Sequence, residues 1–171
     1  MKLTKEQSAV ESILFVAGEP VKEAVLAEAI GVSASEARAI VAGIKAKYTE
    51  ERRGMDIVEV NGAYQMCTNI DNFEYIRKAC GAAPKKPLSQ TLMETLAIIA
   101  YNQPVTKARI ENIRGVNADH AVNKLVELGL VTEKGRLDAP GKPILFGATD
   151  EFLKRFGLSS AAQLPPLERA L

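Results

Sequence analysis

Apolar residues recur along the chain at helical spacing, and they do so in the same order in two stretches. In the first, Val10, Leu14 and Ala17 share one face of a helix expected over about residues 5–17. Thr4 and Gln7 stand at the spacing of a capping box, which predicts the start of that helix. Gly18-Glu19-Pro20 ends it, because proline disfavours helical geometry in the residue before it. A second helix over about 22–30 closes at Gly31, a residue that takes the left-handed turn found at many helix ends. Ser33 and Glu36 form another capping box, and the helix they open carries Ala37, Ile40, Val41, Ile44 and Tyr48 on its inner stripe. Segments 55–60 and 63–68 are rich in β-formers and flank Asn61-Gly62, a strong hairpin signal. Three helices followed by a hairpin make a winged helix, with the hairpin as the wing.

The second stretch repeats this order. A helix expected over about 90–101 is stopped by Gln103-Pro104, and Thr106 caps a short helix that closes at Arg114-Gly115. Asn117 is the expected cap of a third helix with Ala121, Val122, Leu125 and Leu128 facing inward. Segments 130–134 and 143–148 read as wing strands around Gly135, Asp138, Pro140 and Gly141. Thr149, followed by two acids, caps a final helix to about Phe156.

Pro20 and Pro104 are each followed by valine and lie 84 positions apart. The same offset pairs Leu14 with Ile98, Phe15 with Ile99, Leu26 with Ile110 and Gly31 with Gly115. It also pairs Ala37 with Ala121, Val41 with Leu125 and Ile44 with Leu128. The chain reads as a tandem duplication of one supersecondary unit. Between the copies, 71–80 is helical in pattern, with Phe73, Ile76 and Ala79 apolar. The expected fold is mainly α with small β wings, an α+β chain of tandem winged-helix domains. Its expected divisions are an N-terminal winged-helix domain over 1–82, a linker over 83–88, a C-terminal winged-helix domain over 89–158 and an extended tail over 159–171. Pro84 and Pro87 around Lys85 and Lys86 make the linker semi-rigid.

Composition narrows the class. The chain has 171 residues, of which 47% are hydrophobic and 25% charged, so a sizeable core is available. Tryptophan is absent and aromatics are 5%, which leaves the core to aliphatic side chains packed between helices. Basic residues number 22 and acidic ones 21, a net charge of +1, whereas a protein built to hold phosphate backbone usually carries a basic excess. Cys67 and Cys80 stand apart with no second pair, so neither a disulfide framework nor a zinc site is expected. The polar start lacks the apolar centre of a signal peptide. The longest apolar run, Leu96 to Tyr101, falls far short of the roughly 20 residues that span a bilayer. These features predict a cytoplasmic protein with no membrane partner.

No catalytic, cofactor-binding or metal-binding set can be nominated. His120, the single histidine, sits beside Asp119 on the polar side of its helix, and no cysteine stands at ligand spacing from it. The acidic pairs Glu50-Glu51 and Asp150-Glu151 fall at helix ends, as solvated charges do, and the glycines are scattered singly with no phosphate loop. A winged-helix DNA-binding transcriptional regulator is the alternative reading. It asks for readers on the outward face of the third helix. Copy one offers Ser35, Arg38, Ala39, Ala42 and Lys45, and copy two offers Asn117, His120, Asn123, Lys124 and Glu127, a thin set in both. Lys134, Arg136 and Lys142 gather on the second wing as weak candidate phosphate contacts. A protein interface suits the residues better. The opening helices carry more apolar residues than one buried stripe needs: Ile13, Leu14, Phe15 and Val16 in copy one, and Ile98 and Tyr101 beyond the Leu92–Leu96–Ile99 face in copy two.

Several runs resemble the segregation and condensation protein B family. They are Leu88-Ser-Gln-Thr-Leu-Met-Glu-Thr-Leu-Ala-Ile-Ile-Ala-Tyr-Asn-Gln-Pro-Val-Thr106, Ile113-Arg-Gly-Val116, Gly135-Arg-Leu-Asp-Ala-Pro-Gly-Lys-Pro143 and Thr149-Asp-Glu-Phe-Leu-Lys-Arg-Phe-Gly-Leu158. Ile13-Leu-Phe-Val-Ala-Gly-Glu-Pro20 and Leu164-Pro-Pro-Leu167 are similar to it as well, so the likeness covers nearly the whole chain in order. The resemblance implies a non-enzymatic homodimer joined through its N-terminal winged helices. It further implies binding to the kleisin, segregation and condensation protein A, and through it to an SMC ATPase that condenses and segregates chromosomes during cell division. The ATP chemistry would belong to the SMC partner, DNA contact would be indirect or weak, and the location would be cytoplasmic at the nucleoid. On that footing Ile13, Phe15 and Val16 are the candidate dimer interface, and Ile98 and Tyr101 the candidate kleisin-binding surface.

Overall fold

Thr4 and Gln7 hold each other at the start of α1 (Lys5–Ala17). The Gln7 N–H donates to Thr4 Oγ1 at 3.2 Å and the Thr4 N–H donates to Gln7 Oε1 at 3.1 Å, so two donors orphaned by the helix start find acceptors. The computed structural model describes residues 2–81 and 87–166, and the chain divides into two compact units, Met1–Lys85 and Lys86–Leu171. Of the expected linker over 83–88, residues 83–86 lie outside the described residues, as do residues 167–171 of the tail.

Unit 1 continues with β1 (Val21–Lys22), α2 (Glu23–Ile30), α3 (Ala34–Glu50), β2 (Met55–Val60) and β3 (Ala63–Thr68). Ser33 and Glu36 close a second capping box at α3. Asn61 and Gly62 both take positive φ, 49° and 71°, the backbone a tight right-twisted hairpin requires. The three strands form an antiparallel sheet in the order β1-β3-β2. Val10, Leu14, Leu26, Val41, Ile44, Tyr48, Ile57 and Tyr64 make one core between the helices and the sheet. A 3-10 turn (Ile70–Asn72) then leads into α4 (Phe73–Cys80), which buries none of its residues.

Unit 2 repeats the plan with α5 (Gln90–Asn102), β4 (Val105–Thr106), α6 (Lys107–Arg114), α7 (Asp119–Glu127), β5 (Val131–Arg136), β6 (Ile144–Ala148) and α8 (Asp150–Phe156). Its sheet runs β4-β6-β5, with a bulge between Glu133 and Gly135. The duplication is visible in the pairing: Val21 faces Tyr64 and Val105 faces Phe146, and both aromatics are buried. Gly31 and Gly115 end equivalent helices at φ 71° and 73°. Each unit is a winged helix, and the tandem winged-helix expectation holds.

Five details depart from the sequence reading. The two-residue strands β1 and β4 carry no signal in the sequence, since so short a segment takes its conformation from the strand it joins. The ungapped offset fails in the opening helices: Leu14 is buried while Ile98 is half-buried, and Phe15 is 70% exposed while Ile99 is fully buried. One more residue separates α1 from Pro20 than separates α5 from Pro104, so the buried pair is Leu14 with Ile99. Leu128, expected inward, is 38% exposed, because α7 stops at Glu127 whereas α3 runs on for 17 residues. The N-cap position of α7 is Ala118; Asn117 serves one step earlier, its Oδ1 accepting from the Asp119 N–H at 3.0 Å. The last described residues also differ from the extended tail expected. A 3-10 turn (Ala161–Gln163) folds them back, Ser159 N–H donates to Gln163 Oε1 at 2.8 Å, and Tyr101 donates its hydroxyl to the Pro165 carbonyl at 2.6 Å.

Candidate protein-binding surfaces

α1 turns Val10 and Leu14 into the core and leaves the opposite side open. Phe15 and Val16, 70% and 83% exposed, form an apolar ridge there, while Ile13 is half-buried against the core. Of the three candidate interface residues, the structure thus places two on the open ridge and one beneath it. Phe15 borders a groove shared with Glu11, Ser12, Tyr48, Met55 and Met66. The Tyr48 hydroxyl donates to Glu11 Oε1 at 2.5 Å, tying α3 to α1. Burial first, and then this bond to a carboxylate, raise the Tyr48 phenol well above its ordinary pKa, so it remains a neutral donor.

α4 also leaves apolar residues open: Phe73 and Tyr75 are exposed on different sides of the helix, with Ile70 exposed in the turn before it. The amphipathic pattern of 71–80 is plain in the sequence, but not that its apolar side goes unburied. Position alone carries no signal of that kind, because a short amphipathic helix usually covers its own domain.

In unit 2 the opening helix is better enclosed. Thr95, Leu96, Ile99 and Ala100 are buried in α5. Ile98 and Tyr101 are half-buried, and the Tyr101 hydroxyl is occupied by the Pro165 carbonyl. Of the candidate kleisin-binding pair, Tyr101 is therefore engaged by the chain's own C-terminal segment.

The basic wing residues Lys134, Arg136 and Lys142 are exposed together on β5 and the loop after it. Arg136 Nη1 donates to the Lys142 carbonyl at 3.1 Å, so the guanidinium holds the loop in shape. Glu133 and Asp138 share the same wing. On the third helix of unit 1, Arg38 is engaged by Glu23, with Nε donating to Oε2 at 2.9 Å and Nη2 to Oε1 at 2.9 Å. That hydrogen bond holds the Glu23 carboxyl below its usual pKa. The one arginine able to read bases from α3 is thus already committed to an ion pair.

His120 is exposed at the start of α7. Cys67 is half-buried and Cys80 exposed, both as free thiols, and burial raises Cys67 above its ordinary pKa. Among the described residues no group of three His, Cys, Asp or Glu is placed to hold a metal ion, and no helix is long and apolar enough to cross a membrane.

Two winged helices in tandem, the first with an apolar ridge turned outward, define a binding protein of the tandem winged-helix class. The family model for segregation and condensation complex subunit ScpB matches residues 8–167, and the chain belongs to that family. Segregation and condensation protein B of Agathobacter rectalis is 49% identical over 94% of this chain and 87% of its own length. That of Lachnoclostridium phytofermentans is 46% identical over 96% of this chain and 87% of its own length. Among solved structures, ScpB from Mycobacterium tuberculosis is 31% identical, covers 92% of this chain and 98% of its own, and superimposes with a TM-score of 0.44. A dimer of a ScpB N-terminal domain complexed with ScpA peptide is 28% identical, covers 43% of this chain and 91% of its own, and gives a TM-score of 0.41.

Proposed function

We propose that the protein is a non-enzymatic adaptor in chromosome segregation and condensation. It pairs with a second copy through unit 1 and binds the kleisin subunit of an SMC complex, which places it in the cytoplasm at the nucleoid. The observation that carries this reading is the α1 ridge. Phe15 and Val16 stand 70% and 83% exposed beside a fully buried Leu14, on a helix whose fold needs neither of them. Large apolar side chains held open on a rigid element suit a protein interface, and a self-complementary patch suits a two-fold dimer. The exposed Phe73 and Tyr75 of α4 add apolar surface to the same unit. Membership of the family supports the kleisin as partner.

Ile98 and Tyr101 remain the proposed kleisin contacts of unit 2. For them to serve, the segment at Pro165 must give up its hydrogen bond to Tyr101. The boundaries proposed at 82 and 89 leave each winged helix whole, since the last helix of unit 1 ends at Cys80 and the first of unit 2 begins at Gln90.

The test is co-elution with a purified central segment of the kleisin at micromolar concentration. A stable complex that persists at 0.5 M salt, on the order of the screening limit for surface charges, supports an apolar interface. No complex at any ratio removes the reading. A DNA-binding regulator would instead show submicromolar duplex binding with a steep salt slope, weakened by Arg136→Ala with Lys142→Ala.

A further inference from the structure

The run Leu164-Pro-Pro-Leu167 is too rich in proline for a helix or a central strand, and the adaptor reading gives it no task of its own. Its first three residues follow a terminal segment whose turns are held one by one. Gly157 leads the chain out of α8 at φ 66°, and the Leu158 N–H closes back on the Leu153 carbonyl at 2.9 Å. The Ser159 N–H donates to Gln163 Oε1 at 2.8 Å across the 3-10 turn, and the Leu164 N–H donates to the Ala161 carbonyl at 3.2 Å. Leu158, Ser159, Ser160 and Leu164 are half-buried, whereas a chain end that is not tied down is loose and solvated.

These turns deliver an extended stretch to α5. Leu164 has φ −58° and ψ 133°, which is polyproline II geometry. Leu164 and Pro165 each precede a proline, which disfavours the helical region for both, and each proline ring fixes its own φ. The stretch is therefore extended before it meets anything and loses little backbone freedom on docking. Neither proline has an N–H, so both offer acceptors only. On α5 the Tyr101 hydroxyl supplies the matching donor, reaching the Pro165 carbonyl at 2.6 Å. Ala97 and Ile98 stand one turn before Tyr101 on the same side of the helix, so apolar surface adjoins the donor. Pro165 and Pro166 stay exposed, so burial falls on Leu164 and the prolines set the conformation. Aromatic surfaces take up proline-rich extended segments in the same manner.

We propose that this side of α5 is a docking site for an extended leucine–proline stretch, filled in cis by Leu164-Pro165-Pro166. A partner polypeptide carrying such a stretch takes the site by exchange, and the chain's own copy is its tethered competitor. The few residues between α8 and Leu164 make a short tether, which supplies an effective concentration in the millimolar range. A cis contact formed at that concentration requires millimolar or tighter binding in trans. The ligand class and the competitor rest on the adaptor reading only for where a partner meets α5. Docking in cis is measurable without a kleisin, so the two readings fail separately.

The test uses the full 15N-labelled chain carrying Leu164→Gly, Pro165→Gly and Pro166→Gly, which removes the buried leucine and the preset backbone and leaves α5 untouched. The probe is an acetylated and amidated peptide of residues 159–166. Nuclear magnetic resonance reports the backbone amides of Ile98, Tyr101 and Asn102. The substitutions are expected to shift these three signals and leave those of α6 and α7 in place. Peptide added to ~5 millimolar is expected to return them saturably toward their positions in the natural chain, whose own signals respond at least ~5-fold less because its site is filled. The peptide with Pro165→Ala and Pro166→Ala is expected to bind at least ~3-fold more weakly, having lost the preset extension. Signals on α5 that ignore the substitutions, a peptide that binds both chains equally or neither, or an alanine peptide as effective as the natural one would overturn the assignment.

Discussion

The opening helices α1 and α5 have the same length and the same place in their units, yet they use their surfaces differently. Each spans 13 residues after a hydroxyl cap. α1 buries Val10 and Leu14 and holds Phe15 and Val16 out to solvent. α5 buries four residues, and its Tyr101 is hydrogen-bonded to the C-terminal segment at Pro165. The loop before Pro20 is one residue longer than the loop before Pro104, so Leu14 and Ile99 hold the same buried place. A duplicated scaffold has thus kept its core pairing, Val21 on Tyr64 and Val105 on Phe146, while the next position carries exposed Phe15 in one copy and buried Ala100 in the other. One copy ends with an open apolar ridge and the other with a covered one. The wings diverge too: unit 1 turns through Asn61-Gly62, whereas unit 2 carries the longer loop 137–143 between β5 and β6.

The sharpest way to break this comparison is in the cores. Leu14→Ala and Ile99→Ala each delete a fully buried aliphatic side chain and are expected to cost about 2–5 kcal/mol in urea denaturation. Phe15→Ala, at the position the ungapped offset would pair with Ile99, is expected to stay within about 0.5 kcal/mol for the monomer. A Phe15→Ala loss as large as that of Leu14→Ala would contradict the one-residue slip. Next in size are the two helix-ending glycines. Gly31 and Gly115 sit at φ 71° and 73° with open space where a methyl group would stand, so Gly31→Ala and Gly115→Ala should lose similar amounts, about 1–2 kcal/mol each, from backbone strain alone. Unequal losses would show that the two copies are less alike than their pairing implies.

A smaller effect tests the covered ridge. Tyr101→Phe removes the bond to Pro165 and is expected to cost about 1 kcal/mol or less, with faster amide hydrogen exchange confined to residues 159–166. Exchange that stays unchanged there would mean that the segment is held by something other than this hydroxyl. The smallest effect concerns acid. Glu23 is held below the ordinary carboxyl value of 4.5 chiefly by its hydrogen bond from Arg38. Because its folded pKa is depressed, its contribution is present above about pH 4.5 and is lost as pH falls through the lower folded value. Glu23→Gln should therefore flatten the acid limb of the stability profile slightly, and an unaltered limb would show the pair to be inert.

Much of this fold is legible in local chemistry. The capping boxes at Thr4 and Ser33, the Asn61-Gly62 turn, the stops at Pro20 and Pro104 and the glycine ends at 31 and 115 act over a few residues, so the sequence exposes them directly. What escapes depends on distant partners. Strands β1 and β4 exist because β3 and β6 offer them an edge. The exposure of Leu128 follows from where α7 stops, and the exposure of α4 from what its own unit leaves uncovered. The candidate surfaces divide in the same way. An apolar surplus on α1 and α5 can be counted along the chain, but which residues face outward depends on a single-residue slip.

The adaptor account depends most on unit 1 meeting a second copy of itself. Multi-angle light scattering on the intact chain, from 1 to 100 micromolar, measures that directly. The account predicts twice 18.5 kDa for the natural sequence and 18.5 kDa for Phe15→Asp with Val16→Asp, the fold of each being intact by circular dichroism. A natural chain that stays at 18.5 kDa over the whole range, or a double variant that still pairs, would contradict it.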